Sequence, residues 1–171
     1  MLWSKFIQPR LISFACATKP FMIQRIKIVP LAKGTVLEIG IGSGLNIPLY
    51  DENHVKKVVG VDPSEDMQAL AKDRINESPI DIQLVVADAA KIPLDDQSID
   101  TIVCTYTLCT VSNPEGVLKE MKRILKPGGK FLFSEHGHAP DESVNKFQLR
   151  LEPFWKFLAD GCHLTRSIPE L

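Results

Sequence analysis

The stretch that most constrains this chain is Thr35-Val36-Leu37-Glu38-Ile39-Gly40-Ile41-Gly42-Ser43-Gly44-Leu45-Asn46. An apolar, β-branched run leads directly into three glycines at alternate positions. Strand, tight glycine turn and helix is the arrangement that lets backbone approach a bound ligand closely. The dinucleotide fingerprint G-x-G-x-x-G places its third glycine one residue later and seats a pyrophosphate on the helix N-terminus. Here the glycines fall at Gly40, Gly42 and Gly44, and Glu38 stands at the strand end, where a carboxylate repels phosphate. A glycine motif on its own is also compatible with an ordinary strand-to-helix turn.

Two further runs sharpen the reading. Val58-Val59-Gly60-Val61-Asp62 ends in an acid about twenty residues beyond the glycines, the distance at which a second parallel strand presents a carboxylate to ribose hydroxyls. Ile82 to Ala87 ends in Asp88. In a parallel sheet the carboxyl ends of the strands share one edge, where ligands bind. Glu38, Asp62 and Asp88, with no Lys or Arg beside them in sequence, are expected to form an acidic rim suited to a ligand carrying positive charge.

With these residues in hand, the chain resembles the class I S-adenosylmethionine-dependent methyltransferases. The matching stretches are LEIGIGSG (37–44), GVDPS (60–64), VVADAAKIPLDDQSID (85–100) and LKPGGKFLFSEH (125–136). The resemblance implies an α/β fold, a Rossmann-like doubly wound, mostly parallel sheet flanked by helices. It implies S-adenosyl-L-methionine as cofactor and a small-molecule methyl acceptor. The implied cofactor set is Glu38, Gly40, Ile41, Gly42, Gly44, Asn46, Asp62, Pro63, Met67, Asp88, Ala89 and Thr105. Within it Asp88 accepts from the adenine amino group, the Ala89 N–H meets a ring nitrogen and Met67 lies against the adenine face. By helical spacing alone, Met67 reads as core, and the Asn46 amide reads equally as a helix-end contact. A closer similarity, carried by CTYTLCTV (104–111), SEHGHAP (134–140) and DGCHLTR (160–166), is to the membrane-associated alkyl thiol methyltransferases and their bacterial relatives. It implies a thiol acceptor, with lipid or quinone acceptors as the next reading.

The order of elements follows. Residues 1–33 read as an N-terminal helical cap and 34–171 as the methyltransferase domain, together one compact unit. In the cap, an amphipathic helix broken near Pro9 precedes a second helix starting at Pro20. These helices close the substrate site, cover the end of the sheet, or lie at a membrane surface. A single helix is expected over Ser64–Glu77, another from Asn113 to Lys126, and a long one over 139–160 kinked at Pro153. Thr165 to Leu171 looks like the opening of one more helix. Relative to the family, the sequence lacks a last helix and two C-terminal strands. Strand five is then expected to leave an open edge, through which two copies could pair.

Lys plus Arg (20) nearly balances Asp plus Glu (21), so no basic field recruits nucleic acid. The four cysteines, Cys16, Cys104, Cys109 and Cys162, are scattered with no C-x-x-C pair, which argues against a zinc or redox motif. Asp95-Asp96 has no third ligand nearby, and no metal is expected. The cysteines read as reduced and the compartment as cytoplasmic. No apolar run reaches the roughly eighteen residues of a membrane span, and the N-terminus lacks the features of a signal peptide.

Methyl transfer from a sulfonium is an in-line displacement that needs positioning more than a catalytic triad. On the acceptor side the candidate catalytic residues are His136, Asp160 and His163, with Cys109 and Cys162 nearby. His136 follows strand five at the ligand edge and changes charge near neutral pH; it reads equally as a packed, backbone-bonded histidine. Asp160 and His163 form either a substrate-side pair or a helix-end hydrogen-bond cluster. A non-catalytic cofactor-binding protein of this fold is the alternative from another class. An NAD-dependent oxidoreductase is disfavoured by the glycine spacing and Glu38.

Overall fold

The computed structural model describes residues 3–170. Five strands form one sheet: β1 (Gly34–Ile39), β2 (Val55–Asp62), β3 (Asp81–Val86), β4 (Ile99–Thr105) and β5 (Leu125–Ser134). Their order is β3-β2-β1-β4-β5, and every pair is parallel. The helices are α1 (Gln8–Cys16), α2 (Lys19–Ile28), α3 (Glu65–Ala69), α4 (Lys72–Glu77), α5 (Pro114–Ile124) and α6 (Glu142–Leu158). This is the Rossmann-like, doubly wound architecture expected from the sequence.

The central strands are apolar on both faces because both faces are covered. Leu37, Ile39, Val59, Val61, Ile102 and Cys104 pack on one side with Val117, Met121 and Ile124 of α5. Val36, Val58 and Val103 pack on the other with Val29 and Tyr50. Register aligns Ile39 with Val61 and Cys104, Asp62 with Val86, and Thr105 with Ser134. The carboxyl ends therefore form one rim. The winding reverses between β1 and its neighbours β2 and β4, the point where ligands bind in open α/β sheets.

Several elements differ in detail from the sequence expectations. Pro9 does not break a helix. It sits in the first turn of α1, where a missing N–H costs nothing, behind a π-helical turn over Trp3–Ile7. The helix expected over 64–77 divides at Leu70-Ala71 into α3 and α4. Ala71 is fully buried and lies against Gly44, where a Cβ would come 3.0 Å from its own, so packing on the glycine turn overrides helical propensity. Strand β5 begins at once after α5, with a register shift between Ile99 and Thr101 that absorbs Pro127-Gly128-Gly129. Near the C-terminus Ile168–Glu170 forms a single 3₁₀ turn; Leu171, Met1 and Leu2 lie outside the described residues. Among the described residues, β5 pairs with β4 alone, and no helix is long and apolar enough to cross a membrane.

Candidate active site

The glycine turn follows β1 with Gly40, Gly42 and Gly44 all at positive φ (69°, 51° and 75°), a conformation that favours glycine. Gly40 and Ile41 donate their N–H groups to the Val61 carbonyl at 2.8 and 3.1 Å. Gly42 donates to Asp62 Oδ2 at 3.0 Å, and Ser64 donates to Asp62 Oδ1 at 2.9 Å. The Asp62 carboxylate is thus fixed by one backbone bond on each oxygen, with lone pairs left over. Burial pushes its pKa up, while the two N–H bonds oppose the shift.

A cavity of about 430 Å³ opens above this turn. Gly40, Ile41 and Gly42, then Asp62, Pro63 and Met67, line one side; Asp88 and Ala89 line another; Thr105, Tyr106, Thr107 and Thr110 come from the exit of β4. Ser13, Cys16 and Arg25 of the N-terminal helices and Asp160 beyond α6 complete the wall. Ser13 Oγ and Ser43 Oγ are hydrogen-bonded at 2.8 Å, tying α1 to the glycine turn. Of the sequence-derived cofactor set, Gly40, Ile41, Gly42, Asp62, Pro63, Met67, Asp88, Ala89 and Thr105 share this one hollow.

Glu38, Gly44 and Asn46 do not line it. Glu38 is 1% exposed and lies behind the wall. Its Oε1 accepts from Asn46 Nδ2 at 2.9 Å and its Oε2 from the Tyr50 hydroxyl at 2.6 Å. Burial raises its pKa to about 7, against the pull of Tyr50, Arg25 and Asn46. The expected rim of three acids is therefore two acids, Asp62 and Asp88, with Glu38 serving a buried network instead.

Arg25 is the residue that sequence reasoning missed. It projects from α2, is 6% exposed, and donates Nη1 to Asn46 Oδ1 at 2.8 Å and to Thr105 Oγ1 at 2.5 Å. Its guanidinium carbon lies 5.2 Å from the centre of the Tyr106 ring. Its Nε is buried with no partner in the protein, while the side chain lines the cavity. The guanidinium brings positive charge to this end of the hollow, where it favours an anionic group such as a carboxylate. The expectation of a rim without basic residues is corrected: an arginine distant in sequence reaches it. Tyr106 carries a second signal, a positive φ of 57° in a bulky residue, of the kind found at functional sites. Phe21 packs edge-on against it at 4.8 Å.

The acceptor-side candidates separate. Asp160, also at positive φ (51°), reaches the cavity, and its charge adds to the upward shift of Asp62. His163 turns away, its Nδ1 lying 3.4 Å from Glu152 Oε1, with a pKa lowered chiefly by desolvation. Among the described residues no hydrogen bond links Asp160 to His163. His136 lies outside the cavity wall, its Nε2 3.1 Å from Cys162 Sγ. That contact raises the His136 pKa, and hydrogen bonding with Cys109 and His136 lowers that of Cys162. Glu135, which follows β5, accepts N–H bonds from Thr107 at 2.7 Å, Leu108 at 2.9 Å and Cys109 at 3.4 Å. It fixes the turn that presents Thr107 and Thr110 to the cavity.

Residues 37–133, from the glycine turn through β5, match the profile of the Methyltransferase domain family. The chain belongs to that family. It is 40% identical over 137 residues to thiol S-methyltransferase TMT1B of Rattus norvegicus, an alignment covering 78% of this chain and 55% of that protein. With thiol S-methyltransferase TMT1A of Homo sapiens it shares 37% identity over 81% of this chain and 57% of the relative. Phosphatidylethanolamine N-methyltransferase of Cereibacter sphaeroides is 34% identical over 70% of this chain and 60% of its own length. The chain thus spans a little over half the length of the first two relatives. In fold it matches the crystal structure of the YcgJ protein of Bacillus subtilis with a TM-score of 0.73 at 23% identity, covering 87% of this chain and 64% of that one.

Proposed function

We propose that this methyltransferase domain binds S-adenosyl-L-methionine in the cavity above the glycine turn and moves its methyl group to the sulfur of a small-molecule thiol. The observation that carries the cofactor reading is the placement, along one hollow, of a carboxylate fixed by backbone and the positive charge of a buried arginine. Asp62, with spare lone pairs, accepts from ribose hydroxyls. Arg25 takes the amino-acid carboxylate, and the bare backbone at Gly40–Gly42 allows the close approach between them. Asp88 and Ala89 stand at the far wall for the base. The thiol reading rests on similarity to the thiol S-methyltransferases.

When bound, the cofactor supplies a methyl group already activated by sulfonium charge. The chain's part is orientation and exclusion of water. Thr107, Thr110, Tyr106 and Asp160 border the space left for the acceptor. A thiol ionises near pH 8.5 unaided, so a dedicated base is not required, and His136 is placed to support the wall rather than to touch an acceptor.

The test is methyl transfer from radiolabelled cofactor to a panel of alkyl thiols, phenols, quinols, amines and phospholipid vesicles. Label in the thiol products, abolished by Asp62→Ala, is the expected outcome. Label confined to an amine, quinol or lipid would replace the acceptor assignment, and no transfer to any acceptor, with cofactor binding intact, would leave a binding protein.

A further inference from the structure

Behind the cavity wall, three side chains from three separate elements meet. Cys109 stands in the turn after β4, His136 lies two residues beyond the end of β5, and Cys162 follows α6. Their ligating atoms all lie within 4.8 Å of one another. His136 Nε2 is 3.1 Å from Cys162 Sγ, and the two sulfurs are 3.6 Å apart. Cys109 is 1% exposed and Cys162 6%.

The surroundings hold this arrangement firmly. Glu135 accepts the Cys109 N–H, and the Cys109 carbonyl accepts from His163 N at 2.9 Å. Arg166 Nη1 donates to the carbonyls of Leu108 and Val111, closing the turn from the other side. The Trp155 indole N–H is buried without a hydrogen-bond partner.

We propose that Cys109, His136 and Cys162 form a site for one thiophilic divalent ion of the zinc class, with one coordination position left for an outside ligand. A tetrahedral ion with bonds of about 2.3 Å to sulfur and about 2.0 Å to nitrogen sets ligand atoms about 3.8 Å apart for two sulfurs and about 3.5 Å apart for sulfur and nitrogen. The sulfur pair stands close to that separation, and the imidazole has to open from 3.1 Å off Cys162 while closing on Cys109, which lies within 4.8 Å. Two thiolates and a neutral imidazole balance a 2+ charge in a buried place. The neighbouring carboxylate of Glu135 is occupied by three backbone N–H groups, so the donor set is soft and disfavours magnesium or calcium. Three protein ligands with a fourth position open are the pattern of a reactive zinc site rather than a closed structural one. Thr110, next to Cys109, and Asp160, two residues before Cys162, both border the cavity, so an ion here lies against the acceptor side of the wall.

The sequence concealed this cluster because its members are 26 to 53 residues apart, with none of the close cysteine spacing that advertises zinc. The inference does not depend on the acceptor assigned above.

The test uses the full chain, purified under reducing conditions, stripped with a chelator and titrated with Co²⁺. One equivalent should bind with an intense near-ultraviolet sulfur-to-cobalt band and tetrahedral visible bands, and Zn²⁺ should abolish both. Cys109→Ser, Cys162→Ser and His136→Ala should each weaken Zn²⁺ binding by at least about tenfold, whereas Cys16→Ser leaves the bands in place. Should a cluster variant fail to fold, alkylation of the native chain decides: Zn²⁺ should protect Cys109 and Cys162 while Cys16 stays reactive. Absence of stoichiometric uptake, a sulfur band that survives Cys162→Ser, alkylation unchanged by Zn²⁺, or a Cys109–Cys162 disulfide in the reduced preparation would each overturn the proposal.

Discussion

Replacing Glu38 by glutamine should flatten the pH dependence of stability. The buried carboxyl has its pKa raised from 4.5 to about 7, chiefly because burial disfavours its charged form. Folding therefore favours the protonated group. The stability this contributes is fully present below about pH 4.5 and is lost as pH rises through about 7. At roughly 1.4 kcal/mol per pKa unit, the shift is worth about 3 kcal/mol between those limits. Asp62 and Glu135 are shifted in the same direction, so the wild-type slope alone does not isolate Glu38. The difference between wild type and Glu38→Gln does. Urea unfolding of both proteins from pH 4.5 to 8.5 should show the variant gaining about 3 kcal/mol on the wild type across the range. Loss of the Tyr50 or Asn46 bond displaces the two curves by a constant and leaves the slope difference intact. Parallel curves would refute the reasoning and mean that Arg25 neutralises Glu38 far better than burial penalises it.

Two other perturbations probe the turn and its supports. Gly42→Ala places a Cβ 3.1 Å from Met67 Cε at a φ of +51°; it should cost about 1–2 kcal/mol from the left-handed backbone, read by urea unfolding, and reduce cofactor affinity by about tenfold or more, read by calorimetry. Asp141→Ala removes a cap that accepts from Ser143 N at 2.9 Å and Val144 N at 3.1 Å. It should destabilise the chain by about 1 kcal/mol in a thermal melt while leaving cofactor affinity unchanged.

What the sequence disclosed and what it withheld have the same physical origin. A parallel sheet buried on both faces writes itself as short apolar runs, so β1, β2 and β4 are visible, and their shared carboxyl edge follows from topology. The positive φ at Gly40, Gly42 and Gly44 needs glycine, so the turn is visible too. Arg25 was not. A lone arginine among the apolar residues of α2 looks like a solvated charge until the fold points it at Asn46 and Thr105. Glu38 misled for the opposite reason: its position at the strand end is right, but alternation along β1 sends its side chain to Tyr50 and not to the cavity. The division of α3 from α4 rests on how Ala71 meets Gly44, a contact without local signature. Cys109, His136 and Cys162 converge only because three loops end at one rim.

The central claim is that the hollow between the glycine turn, Asp62 and Arg25 is a site for S-adenosyl-L-methionine. Isothermal titration of the purified chain with that compound, and separately with NAD, tests it most directly. One saturable site for S-adenosyl-L-methionine is predicted, with affinity reduced by at least about tenfold in Asp62→Ala, the loss of a charged hydrogen-bonding group being worth about 1.5–3 kcal/mol, and no binding of NAD. Saturable NAD binding, or an affinity for S-adenosyl-L-methionine that Asp62→Ala leaves untouched, would contradict the account.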